Sequence, residues 1–74
     1  MRLYHVIWTT RGNGDNEGYD VSNSTTIEGK NNAIKYALTL THNSRIFEQT
    51  ENAPYRNKLV YEVHLPNTTV VVLP

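Results

Sequence analysis

The sequence contains no cysteine, a single methionine, three prolines and four glycines, and its seven basic and seven acidic residues cancel. Without cysteine there is neither a disulfide staple nor a thiolate metal site, a composition that fits a reducing compartment. No long apolar run occurs. The N-terminal stretch from Met1 to Trp8 is too short, and too polar after Trp8, for a signal peptide or a membrane span, so a soluble, cytoplasmic chain with no membrane partner is expected. The sequons Asn23-Ser24-Thr25 and Asn67-Thr68-Thr69 are then chance products of an Asn- and Thr-rich composition. Charge of one sign is also missing. Arg2, Arg11, Lys30, Lys35, Arg45, Arg56 and Lys58 are scattered along the chain, which argues against strong nonspecific nucleic-acid binding, because that binding draws on clustered cations that displace counterions from phosphates.

What remains is enough for one small domain, residues 1–74, whose folding buries only about 60% of the unfolded surface. Arg2 to Thr10 alternates Tyr4, Val6 and Trp8 against Leu3, His5, Ile7 and Thr9, apolar groups on both faces, and reads as an inner strand. Gly18 to Asn23 resumes the pattern through Tyr19 and Val21, and extends toward Ile27. The one helical signal is Ala33 to Leu40. Asn31 or Asn32 is placed to cap it, and Ile34, Ala37, Leu38 and Thr41 form one stripe. An earlier start is suggested by the capping-box spacing of Thr25 and Glu28, although Gly29 weakens it. Arg45 to Thr50 offers a short strand. Lys58 to Leu65 offers a strong one, with Leu59, Tyr61, Val63 and Leu65 facing one way; a turn at Pro66-Asn67 precedes a last strand from Thr68 to Leu73. The expected fold is α+β, a small, mostly antiparallel sheet with one helix on a face, in the order ββαβββ.

Arg11 to Asp20, RGNGDNEGYD, is the stretch nearest to a chemical motif. As a calcium loop, Asn13, Asp15, Glu17 and Gly18 fall on ligand and turn positions, but the twelfth position, which needs a bidentate glutamate, is Ser24, and the flanks read as strands. The spacing of Gly12, Gly14 and Gly18 misses the dinucleotide fingerprint, and no helix follows to point its N-terminus at a phosphate. A glycine-rich hairpin loop remains, its carboxylates serving solubility or partner recognition.

Nothing in the chain assembles a catalytic set. His5, His42 and His64 lack zinc-site spacing, Ser22, Ser24 and Ser44 carry no nucleophile elbow, and Glu48 and Glu51 read as solvated. A non-enzymatic protein without cofactor or metal is expected. The aromatics divide differently. Tyr4, Trp8 and Tyr61 fall on core positions, while Tyr55 beside Arg56 in a polar loop has the composition of an interface anchor. The β-prone segment around Val71 is apolar on both faces, so one face needs a cover that a second copy of the chain or a partner could supply. Candidate partner-binding residues are therefore Asp15, Glu17 and Asp20 in and after the acidic loop, Tyr55 and Arg56, and Val71.

The layout of a short N-terminal strand, a polar hairpin, one helix bearing AIKYAL (Ala33 to Leu38) and closing strands resembles small phage-encoded accessory proteins, among them several anti-CRISPR proteins. The resemblance lies in the order of elements over most of the chain, and it assigns no role to any single residue. It implies a stand-alone, cofactor-free protein that binds a host protein complex and blocks its nucleic-acid site or its assembly. Two other classes stand beside that reading: a small nucleic-acid-binding domain that stacks bases on sheet aromatics, and a structural or oligomerisation subunit.

Overall fold

The computed structural model describes residues 2–11, 20–50, 56–66 and 68–71. Five strands and one helix follow in the order β1 (Leu3–Arg11), β2 (Asp20–Glu28), α1 (Lys30–Thr39), β3 (Ser44–Gln49), β4 (Asn57–His64) and β5 (Thr68–Val71). They form a single α+β unit of the expected ββαβββ order. The sheet runs β2-β1-β3-β4-β5 and is antiparallel at every pairing, with β1 inside it and β2 and β5 at its edges. Strands β2 and β3 thus point the same way on either side of β1, and α1, which connects them, crosses one face of the sheet above β1.

Pairing builds β2 more than its own composition does. Only Val21 and Ile27 are apolar among its nine residues, DVSNSTTIE, yet every one has a partner on β1, from Arg11 opposite Asp20 to Leu3 opposite Glu28. The strand therefore extends five residues past Asn23. The segment between Arg11 and Asp20 joins two antiparallel strands, as a hairpin connection must; Asp15 and Glu17 themselves lie outside the described residues.

The helix starts differently from the sequence reading. Gly29, at φ 91° and ψ 134°, occupies the N-cap position, where its N–H donates to the Arg2 carbonyl at 2.9 Å and its carbonyl accepts from Ala33 N–H at 3.0 Å. A side chain at that φ would be strained, which favours glycine there; the capping-box start at Thr25 and Glu28 is not used, because both residues lie in β2. Neither Asn31 nor Asn32 caps; Asn32 sits in the first turn and donates from Nδ2 to the Glu28 carbonyl. At the other end Leu40 turns extended, which leaves Thr41 outside the helix and exposed. The buried stripe centres on Ala33 and Ala37, flanked by half-buried Ile34 and Leu38. Two alanines at the contact bring the helix backbone close to the sheet.

Under the helix lie Tyr4, Val6, Ile46 and Val63, the last three fully buried. Alternation explains the set, since Tyr4, Val6 and Trp8 share one side of β1, while Ile46 is in register with Val6, and Ser44 with both Trp8 and Val63. Trp8 packs on Tyr36 of the helix, with ring centroids 6.0 Å apart and planes tilted by 55°, a favoured aromatic geometry. Ser44 is buried in this layer, and its Oγ has no hydrogen-bond partner.

Strand β4 departs from the regular pattern expected for it. Ile46 pairs with Tyr61 but Phe47 with Leu59, so Val60 is an extra residue, a β-bulge. Val60 and Tyr61 both pack against the core, and Leu59 passes to the opposite face beside Phe47. Leu59 therefore does not face the same way as Tyr61 and Val63. Leu65, at the turn after β4, is also exposed; its N–H donates to Asn43 Oδ1 at 2.9 Å.

Two expectations test this core. Ile46→Ala should lower unfolding free energy in urea by about 2–5 kcal/mol, and Leu38→Ala by less, since Leu38 is only half-buried. Ser44→Ala, which removes a buried hydroxyl without a partner, should leave urea stability unchanged or raise it by about 1 kcal/mol; a loss above about 1 kcal/mol would show that the hydroxyl is satisfied in solution.

Candidate interaction face

Helix α1 covers one face of the sheet; the other carries no element among the described residues. Register assigns its side chains. One row across β2, β1, β3 and β4 reads Thr26, His5, Phe47 and Leu59; the next reads Ser24, Ile7, Arg45 and Glu62. Ile7, Phe47 and Leu59 are half-buried here, and polar side chains surround them.

The rows are tied across strands. His5 Nε2 lies 2.7 Å from Gln49 Oε1 and its Nδ1 lies 3.0 Å from Thr26 Oγ1, so the ring spans from β2 to β3 over β1. With the proton on Nε2, the ring donates to the amide oxygen and accepts from the hydroxyl, which satisfies all three groups. Glu62 is held from two sides, by Arg45 Nε at 3.5 Å and His64 Nε2 at 3.3 Å. At this end of the face a cleft of about 430 Å³ opens, lined by Ile7, Thr9, His42, Arg45, Glu62 and His64 among others. Trp8 and Ser44 also border the cleft, and the Ser44 hydroxyl is buried there without a hydrogen-bond partner. Among the described residues no three His, Asp or Glu side chains are grouped to hold a metal ion. The arrangement is suited to contact: a small apolar group, a neutralised ion pair, and hydroxyls and amides among and around them.

On the helix side, Tyr4 Oη donates to Glu48 Oε2 at 3.0 Å, while Arg2 Nη1 holds Glu48 Oε1 at 2.6 Å. Burial pushes the Tyr4 phenol above its ordinary value, and the hydrogen bond to Glu48 and the charge of that carboxylate push the same way. Arg2 opposes them.

The residues singled out from sequence are not gathered into one patch. Asp20, exposed, opens β2 opposite Arg11 at one edge. Arg56, also exposed, lies at the opposite end of the sheet, where its N–H donates to Thr50 Oγ1 and its carbonyl accepts from Thr50 N–H, both at 2.9 Å, closing the connection of β3 to β4. Val71 sits on β5 opposite Tyr61, at the other edge. Asp15, Glu17 and Tyr55 are outside the described residues. No local pattern in the sequence groups His5, Ile7, Phe47 and Leu59. Half the signal was present, in the second apolar face of β1; the other half was hidden by the bulge.

Tyr4, Trp8 and Tyr61 of the sheet and Tyr36 of the helix pack in or against the core, and among the described residues Phe47 is the one aromatic ring of Phe, Tyr or Trp type on the open face. Comparison with protein-family models, with curated proteins and with solved structures finds no match. Among the described residues, no helix is long and apolar enough to cross a membrane.

The Tyr4 phenol gives a pH expectation. A group whose folded pKa is raised contributes stability that is complete below its unfolded value, near 10, and is lost as pH rises through the folded value. Urea midpoints measured from about pH 8 to 11 should fall more steeply for the original chain than for Tyr4→Phe. Parallel curves would remove Tyr4 as a source of alkaline sensitivity.

Proposed function

We propose that the chain is a non-enzymatic protein-binding module that engages a larger host protein complex through the open sheet face and inhibits or modulates it, acting in the host cytoplasm as an anti-CRISPR-like phage protein. The observation that supports this reading is the composition of that face. Phe47 and Leu59 stand opposite one another with Ile7 on the diagonal from Phe47, and His5, Gln49, Thr26, Arg45 and Glu62 lie among and around them. Protein–protein interfaces combine apolar area with hydrogen-bonding groups in the same way.

The nucleic-acid alternative draws less support from the same face. A stacking platform presents rings to successive bases over a positive groove, whereas here one phenylalanine stands beside an arginine already paired with Glu62.

Affinity capture tests the reading. The immobilised chain should retain one defined protein complex from host lysate after nuclease treatment. A folded Phe47→Lys variant should lose at least about tenfold of that capture, the effect of removing one buried aromatic anchor. Lys35→Glu, on the solvent side of α1, should retain it. Capture that Phe47→Lys leaves intact would take the open face out of the interaction, and capture abolished by nuclease would favour the nucleic-acid class.

A further inference from the structure

The two edges of the sheet differ. Strand β5 is described over Thr68–Val71 and is the C-terminal edge of the sheet. Strand β2 has nine residues, in unbroken register with β1 and, among the described residues, with no strand on its outer side. It carries none of the usual defences. It has no proline, no lysine or arginine and no bulge, and the seven residues from Val21 to Ile27 are uncharged. An edge of this kind is a row of backbone donors and acceptors ready for another strand. Its charges stand only at the two ends, where Asp20 and Glu28 are both exposed and neither makes an ion pair among the described residues. The sequence adds Asp15 and Glu17 ahead of it, with no basic residue between Arg11 and Lys30.

A second copy of the chain fits this edge poorly. The two-fold pairing that uses all nine residues, centred on Ser24, sets Asp20 of each copy opposite Glu28 of the other, two like-charge pairs. Nor does the second copy's β5 serve. In an all-antiparallel sheet with an odd number of strands the two edge strands run in the same direction, so β5 of a copy with its helix on the same side meets β2 only in parallel, the less stable pairing.

We propose that β2 is a docking edge for an extended segment of a partner protein, which joins the sheet antiparallel as a sixth strand and carries a basic residue at each end of the paired stretch. Those two residues stand eight positions apart, opposite Glu28 and Asp20. Between them, side chains on one side meet Val21, Asn23, Thr25 and Ile27, which favours β-branched residues; on the other they meet Ser22, Ser24 and Thr26, which favours small hydroxyls. Main-chain hydrogen bonds supply the affinity, and the end charges set register and exclude self-pairing. This inference rests on the reading of the chain as a protein-binding module and names a second contact for it.

Fluorescence anisotropy with defined peptides tests it. The probe is Lys-Val-Thr-Val-Thr-Val-Thr-Val-Lys, blocked at both termini and dye-labelled, against a version with Glu at both ends and one with alternate backbone nitrogens methylated. At low ionic strength the Lys-ended peptide should bind about tenfold tighter than the Glu-ended one, from two end pairs changed from attraction to repulsion. A doubly substituted chain, Asp20→Lys with Glu28→Lys, folded by circular dichroism, should reverse that order. The methylated peptide should bind at least about tenfold weaker, as lost backbone pairing requires. Absence of binding, equal binding of the two charge forms, undiminished binding of the methylated form, or an unreversed order in the double variant would each overturn the proposal. Such a failure, with capture still lost in Phe47→Lys, would remove the β2 edge and leave the open face standing.

Discussion

The close seat of Ala33 and Ala37 on Val6, Ile46 and Val63 is the contact on which the rest of the structure depends. Burial of each of those three larger side chains contributes about 1.5–3 kcal/mol, and a domain this small has few others fully enclosed. Ten residues of helix, two of them alanines at the contact, are enough to seal the middle of one face of five strands. They cannot seal both. The same economy that lets so short a chain fold therefore leaves one sheet face uncovered among the described residues, and the side chains found there are the compromise expected of it: apolar enough to support strand packing, polar enough to remain wetted.

Much of this was legible in the chain because the periodicities are local. The alternation of Tyr4, Val6 and Trp8 against Leu3, His5 and Ile7 identified β1 as an inner strand, the Ala33 to Leu38 stripe identified the helix, and the element order followed from the turn residues between. Strand β2 is polar, yet its reach toward Ile27 was legible, and pairing with β1 carries it to Glu28. Two features were not legible, each because its cause is not local. The helix start depends on a backbone angle that only a glycine adopts readily, and composition alone reads a glycine as a breaker. Leu59 continues the alternation of β4 in sequence, and only the partner register shows that it has changed face. The open face is assembled from these long-range registers, so no single stretch announces it, whereas Asp20, Arg56 and Val71 each stood out locally and lie on different strands or connections of the sheet, far apart in register.

The sheet is thus asymmetric in two directions. Across its thickness, one side is packed and the other carries short rungs such as His5 between Thr26 and Gln49, which cross-link three strands without a helix above them. Across its width, the β2 edge, uncharged from Val21 to Ile27 and acidic at both ends, faces away from β5. Both asymmetries place unsatisfied surface at β1 and β2, the hairpin that also presents the acidic connection.

The extra residue at position 60 divides β4 into two half-strands whose pairings are phased separately. An insertion or deletion inside a strand ordinarily turns every following side chain to the wrong face. Here the opposite holds. A chain lacking the residue at 60 would keep Tyr61 against Ile46 and Leu59 against Phe47, closing the ladder into a regular one. Relatives of this protein can therefore differ in length in the middle of a central element and still share every pairing, so a correct alignment of them would place its gap inside β4, where gaps are normally penalised most.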